Sequence, residues 1–474
     1  MRDMLLILDY DHLTSRMAAR KLRAEQICCR IVPWDIDAER LSEEDPCGVL
    51  LCAAVDSRDV TILPHVLAFG GPLMAIGAAA AALNAALGGE NGLYSPLTEM
   101  MDVDYSECPL LNGLTSGQRL LRGLTPMHVP REVQIIATMG DARTVIGFSL
   151  SEQKRFGIQL ELEAHDPDSS RLLTNFAHTI AGCTPWWNDE AFVHQAVDEI
   201  RHAAGEGNAV CLMTGGLYSN VAALLAARAL GTRLTCVFVE TGLLQEDQED
   251  WFLSFFQEKT GLDVIREDHR ERFLQSLKGV RDKMDKRRTI ESMYTIIRRD
   301  VQRAVPLLNV VIRGRSYMEH LTESEEVAGI RAGVLCVEPL RDLFMEEVRQ
   351  IGRYLGMPED VISRQTIPAT GLALNVIGEA TEERLAVLRK ADRIYRRLME
   401  DGSQTRRLSA YFAALEPETC GYTVSLHALM ASDLGISRAA RVPYDILENA
   451  MEQIRSECPQ VVRVVYDLTP DFNV

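Results

Sequence analysis

Short apolar runs of strand length punctuate the first part of the chain. Residues 4–8, 28–32 and 49–52 are continuous hydrophobic stretches, and residues 15–25 carry the mixed apolar and charged spacing of a helix. Residues 67–76 predict a further strand, broken at Gly77, where an alanine-rich helix over 78–87 begins. Strand and helix patterns in alternation predict a parallel sheet with helices on both faces. Shorter, more polar strands are expected at 133–138, 145–149 and 156–160, followed by a helix over 171–181. Residues 182–188, with Gly182, Cys183, Pro185, Trp186 and Trp187, read as the end of a domain and a linker.

The alternation restarts beyond that linker. Residues 189–204 are amphipathic, 209–213 are a buried strand, 214–220 a loop, 221–230 an apolar helix and 234–239 a strand, so a second α/β domain begins near residue 186. Basic residues crowd 281–303 and acidic ones 319–326, which predicts a solvated helix face and a loop. From about residue 370 the order becomes helix (381–399), strand (422–428), helix (444–457) and strand (461–468), a small α+β unit of the kind used for oligomerisation. The expected fold class is α/β: two successive parallel-sheet domains, 1–185 and 186–368, followed by an α+β domain at 369–474.

One stretch calls for a membrane check, because residues 60–89 contain no Asp, Glu, Lys or Arg. Pro64, His65, Gly70, Gly71 and Pro72 interrupt it, so a buried strand and a small-residue helix are expected, with no membrane association. Charge excludes another class. Of 474 residues, 68 are Asp or Glu against 50 Lys or Arg, a formal charge of −18, and so acidic a surface does not attract a nucleic-acid backbone. The 11 cysteines show no C-x-x-C spacing, which predicts reduced thiols, no disulfide framework and no zinc knuckle. The N-terminal segment lacks the features of a signal peptide, and a cytoplasmic location is expected.

The chemistry-bearing feature is Thr214-Gly215-Gly216-Leu217-Tyr218-Ser219-Asn220, between a strand and a helix. Paired glycines let the backbone aim N–H groups at an anion, and the helix start adds partial positive charge. Alone, such a loop is a weak signal. Five further motifs accompany it in order: Leu234 to Leu244 with Glu240-Thr241-Gly242, Glu338 to Phe344, Gly371-Leu372-Ala373-Leu374 with Gly378-Glu379, Val442 to Glu448, and Arg463 to Asp467. Together they resemble the glutamine-hydrolysing GMP synthase family along nearly the whole chain. That resemblance implies a flavodoxin-like class I glutamine amidotransferase domain, an adenine-nucleotide α-hydrolase-like ATP-pyrophosphatase domain and a dimerisation domain. It implies ATP and Mg²⁺ as cofactors and a purine nucleotide as ligand.

Several family positions hold other residues. The family's phosphate loop reads S-G-G-V-D-S-S, and here Tyr218 takes the place of its acid; a neutral phenol is a poor ligand for Mg²⁺. Glu240 stands for an Asp and Gln245 for an Arg, the latter removing a possible phosphate contact, while Lys286 and Arg287 match a basic pair read either as nucleotide-facing or as solvated helix charge. The family's Q-G-T is Arg313-Gly314-Arg315. A glutaminase needs a cysteine on a sharp strand-to-helix turn, a His and an orienting acid. The resemblance places these at Gly77, Glu161 and Glu163, of which only Glu163 keeps the family residue, and the oxyanion-side S-G-G at Cys52-Ala53-Ala54. Cys52 and His165 are the candidates for a rebuilt dyad, though neither occupies a motif position.

Three readings follow. The first is a degenerate homologue acting by binding a nucleotide or a partner, as a homodimer or as a heteromer with an active paralogue. The second is an ATP-dependent ligase converting XMP to GMP with externally supplied ammonia. The third is a nucleotide-free structural protein.

Overall fold

The computed structural model describes residues 2–163, 166–245, 249–322, 329–362, 370–401, 408–431 and 437–469. The chain divides into two compact units, Met1–Ala191 and Phe192–Val474.

The first unit is built on a nine-stranded sheet. Its strands are β1 (Arg2–Asp9), β2 (Cys29–Pro33), β3 (Pro46–Cys52), β4 (Leu73–Ile76), β5 (Glu99–Tyr105), β6 (Gly117–Leu121), β7 (Gln134–Met139), β8 (Thr144–Leu150) and β9 (Arg155–Ile158). Their order is β2-β1-β3-β4-β9-β8-β7-β5-β6. The first five pair in parallel, as the alternation of strand and helix predicts, and the rest are antiparallel. Strands β1, β3 and β4 are almost wholly buried, which is why they read as continuous apolar runs. Strand β5, Glu-Met-Met-Asp-Val-Asp-Tyr, buries only Val103 fully and has no hydrophobic run to announce it.

The strand expected over 67–76 is shorter, beginning at Leu73. The guanidinium of Arg155, 6% exposed, donates to the carbonyls of Leu67 at 3.0 Å and Gly71 at 2.7 Å, and also to that of Phe69. Those carbonyls are therefore satisfied without a sheet neighbour. Helices α1 (His12–Ala24) and α2 (Ala78–Ala86) form where expected, and α3 (Pro167–Thr174) runs into a wider π-helical segment, Asn175–Ile180. Among the described residues no helix is long and apolar enough to cross a membrane.

Residues 182–188 are fastened to the first unit. Thr184 N–H donates to Asp3 Oδ1 at 2.9 Å, Trp186 Nε1 to the Asp3 carbonyl at 2.8 Å, and the N–H groups of Trp186 and Trp187 to the Gln26 carbonyl. The Arg23 guanidinium lies 5.5 Å from the Trp187 ring centroid. Cys183 is disulfide-bonded to Cys47, which corrects the expectation of uniformly reduced thiols; the partners lie 136 residues apart, so spacing carried no sign of the pair.

The second unit begins with α4 (Asp189–Ala204), whose first turn lies at the boundary. Its five-stranded sheet comprises β10 (Asn208–Met213), β11 (Leu234–Glu240), β12 (Val264–Asp268), β13 (Leu308–Ile312) and β14 (Leu335–Val337), in the order β12-β11-β10-β13-β14 and all parallel. Helix α5 (Leu217–Leu230) follows β10, and α6 (Lys283–Ala304) precedes β13. The C-terminal part contributes α7 (Glu382–Asp401), β15 (Ala410–Glu418), β16 (Gly421–Ala431), β17 (Ser437–Ala439), α8 (Tyr444–Glu457) and β18 (Val461–Tyr466). Strand β16 is central, antiparallel to β15 and β17 and parallel to β18. One hydrophobic core runs from Val210 and Val237 of the parallel sheet through Leu388 and Tyr395 to Leu415 and Val424. The sequence-based boundary at residue 368 falls inside this unit.

Candidate functional site

In open parallel sheets ligands bind where the strand order reverses, beyond the carboxyl ends of the strands. In the second unit that point lies between β10 and β13. The loop after β10 is Thr214-Gly215-Gly216, with Gly215 at φ +79, and α5 begins at Leu217, earlier than the 221 expected. Tyr218, Ser219 and Asn220 are therefore first-turn helical residues. Gly216 caps the helix with no side-chain hydrogen bond, so backbone N–H groups form the loop's donor set. The Ser219 hydroxyl donates to the Gly216 carbonyl at 3.0 Å and accepts from Thr214 N–H at 3.3 Å, closing the loop on itself. Asn220, 1% exposed, donates to the Gly215 carbonyl at 3.5 Å, and its Oδ1 is buried without a partner.

Across the crevice, Gly314 follows β13. A Cβ there would stand 2.3 Å from the Tyr218 carbonyl oxygen, so the backbone packs directly on the start of α5 and glycine is the residue that permits it. Arg313 and Arg315 flank it and share Glu338, at 3.2 and 3.4 Å. Tyr218 is half-buried; burial raises its phenol above the ordinary value, against the opposing effect of a hydrogen bond with Ser316.

Glu240 ends β11 and is paired in register with Asp268. Arg270 joins them, 3.6 Å from Glu240 and hydrogen-bonded to Asp268 at 2.6 Å; its hydrogen bonds hold the Asp268 carboxyl down at about 2. Gln245 is buried, donating to Asp392 Oδ2 at 2.8 Å instead of facing the loop.

Lys286 is neither nucleotide-facing nor solvated. It is 1% exposed, and its ammonium donates to the carbonyls of Ala373 at 3.1 Å and Val376 at 2.5 Å, pinning the segment Gly371–Asn375. Burial, reinforced by Arg384, lowers its pKa to about 8. Between about 8 and 10.5 the unfolded chain holds the proton that the folded one has lost, so this group's contribution to stability rises with pH across that window and is least favourable below it. The stability difference between the parent and Lys286→Met is expected to move in the parent's favour by about 3 kcal/mol from the bottom of that window to the top, measured by urea unfolding.

In the first unit, Gly77 occupies a sharp turn between β4 and α2 with φ +66 and ψ −133. A strand-to-helix turn of this kind presents a nucleophile in many hydrolases, with an oxyanion site at the next N–H. Here a Cβ on residue 77 would lie 2.0 Å from the Ala53 carbonyl oxygen, and the Ala78 N–H donates to the Ala54 carbonyl at 3.3 Å. Cys52 is fully buried, and burial together with Asp9 and Asp11 raises its thiol well above the usual range. Glu161 pairs with Arg122 at 2.7 Å, yet burial still raises its carboxyl. Glu161 and Glu163 are brought together on the wall of a cavity of about 280 Å³ with Tyr105, Arg119, Asp166 and Asp168; Gly77 is not on that wall. His165 lies outside the described residues.

Sequence reasoning singled out neither Arg122 nor Asp392, because each acts through a partner distant along the chain.

No family model matches the chain. The glutamine-hydrolysing GMP synthase of Thermomicrobium roseum is 32% identical across 98% of this chain and 95% of that protein. That of Symbiobacterium thermophilum is 31% identical, covering 99% and 97%. A third, from Caldanaerobacter subterraneus subsp. tengcongensis, is 29% identical, covering 99% and 97%. With colinear similarity across both units, the chain belongs to the glutamine-hydrolysing GMP synthase family.

Proposed function

We propose that this family member is a pseudoenzyme: it lacks the glutaminase step, is impaired in ATP-dependent amination of XMP, and acts by binding a purine nucleotide or a protein partner. The carrying observation is Gly77, a residue without a side chain whose Cβ direction is filled by the Ala53 carbonyl oxygen. A covalent glutaminase needs a thiolate there, and catalytic groups that act as a unit leave little when one is missing. We extend the reading to a division into an amidotransferase-like domain (1–185), an ATP-pyrophosphatase-like domain (186–368) and a dimerisation domain (369–474). The assembly is a cytoplasmic homodimer or a heteromer with an active paralogue.

Mg²⁺ asks for several hard oxygen ligands. The loop offers the Tyr218 phenol where an acid would serve, and Glu240 is engaged by Arg270. Among the described residues the group able to converge three Asp, Glu, His or Cys ligand atoms is Asp3, Cys47 and Cys183, in the first unit. The residues at the loop do not fit the metal. The N–H groups at the start of α5 do fit a phosphoryl oxygen, with Gly215 and Gly216 leaving the approach open.

The test is direct. The purified protein is given glutamine alone, then ATP, Mg²⁺, XMP and ammonium, while ammonia, pyrophosphate and GMP are followed. No ammonia release and only trace GMP are expected, with a ligand-dependent rise in melting temperature if ATP or XMP binds. Sustained GMP formation from ammonium would instead identify the ammonia-dependent ligase.

A further inference from the structure

The Cys47–Cys183 pair takes no part in the reading above. Its Cα atoms are 6.6 Å apart, within the span a disulfide bridges, and the two residues are 5% and 4% exposed. Of the other cysteines, only Cys420 is exposed. The bond joins the start of β3 to the segment that leaves the first unit, and Asp3 sits beside both sulfurs, its ligand oxygen within 4.8 Å of each.

We propose that Cys47 and Cys183 form a reversible redox site whose oxidised form clasps residues 182–187 to the first unit, and whose reduction is gated by lifting that segment. A reductant thiolate must reach one Sγ along the axis of the S–S bond, yet both sulfurs are buried and the Asp3 carboxylate repels an incoming anion. Access opens only when the segment releases its hold on Asp3 and Gln26, through Thr184 N–H, Trp186 Nε1 and the two tryptophan N–H groups. In the exchange, a dithiol's thiolate bonds to one sulfur and expels the other as a thiolate, which takes up a proton. The dithiol's second sulfur then displaces the first protein sulfur, which is protonated in turn. Two electrons have moved to the protein, and the reductant leaves as a cyclic disulfide.

The experiment uses the full chain equilibrated with oxidised glutathione, alkylated under denaturing conditions and mapped by mass spectrometry. A linked peptide joining Cys47 to Cys183 is expected, with Cys420 labelled rapidly in the native state as an internal standard. Dithiothreitol should release the pair slowly, and Thr184→Val, which removes the hydroxyl contact to Asp3, should speed release several-fold. Chymotrypsin cleavage after Trp186 or Trp187 should follow release, and Cys183→Ser should show that cleavage without reductant. Two alkylated thiols at 47 and 183 after oxidation would overturn the proposal. So would a release rate indifferent to Thr184→Val, an unchanged protease pattern, or one equivalent of zinc bound by the reduced protein but not by Cys183→Ser.

Discussion

Gly77→Cys is expected to lower the stability of the first unit by about 2–5 kcal/mol and to yield no glutamine hydrolysis. The backbone at residue 77 has φ +66 and ψ −133, outside the regions open to L-residues, at a cost of roughly 1–3 kcal/mol relative to glycine. Space adds to the strain. The new Cβ would meet the Ala53 carbonyl oxygen at 2.0 Å, so β3's exit loop or the turn itself must move. In a unit of this size each kcal/mol is worth about 2–4 °C, which places the fall in melting temperature at roughly 4–20 °C. Gly77→Ala should fall equally, separating strain from thiol chemistry. The added thiol would still lack its surroundings, since the Ala78 N–H is spent on Ala54 and Glu161, at the place of the base, is held by Arg122. Parent-like melting or steady ammonia release by Gly77→Cys would defeat this expectation.

The sequence was most informative where one face or both faces of an element are buried. Strands β1, β3, β10 and β11 were readable because residues such as Leu5 to Leu8 and Val237 to Val239 are shut away from water on both sides. Strands β5 and β6 were not, because their exposed, charged positions share the composition of a loop. The turn at Gly77 was legible as a break between strand and helix, but the closeness of Ala53 depends on a neighbouring strand and left no local mark. Lys286 shows the same limit from the other side. Its neighbours Lys283, Arg287 and Arg288 suggest a solvated face, whereas Lys286 itself points inward, onto carbonyls almost ninety residues away along the chain. A charge count along a helix does not tell which charge is the buried one. Gln245 likewise read as the loss of a phosphate contact, and its role as a buried donor to Asp392 emerges only once α7 is in place.

Asp392→Ala should be the most damaging single change in the second unit, costing about 3–5 kcal/mol in urea unfolding. Asp392 is fully buried on α7 and ties three elements together. Its Oδ2 accepts from Gln245 at 2.8 Å, beyond β11, and from Arg396 at 2.8 Å, one turn along the same helix; its Oδ1 accepts from the Ala413 N–H of β15 at 3.0 Å. Truncation leaves the largely buried Arg396 guanidinium without this carboxylate and the Ala413 N–H without an acceptor, and both penalties fall in the same low-dielectric core. Asp392→Asn keeps the shape and one acceptor oxygen, so about 1–3 kcal/mol is expected. Gln245→Arg, which restores the family residue, should not strengthen nucleotide binding, because position 245 is 6% exposed and aimed at an acid that Arg396 already engages. If Asp392→Ala unfolded within about 1 kcal/mol of the parent, the parallel sheet and the C-terminal sheet would not be coupled through this carboxylate. A Gln245→Arg protein with a larger ATP-dependent rise in melting temperature than the parent would show that the buried polar cluster yields to the ligand.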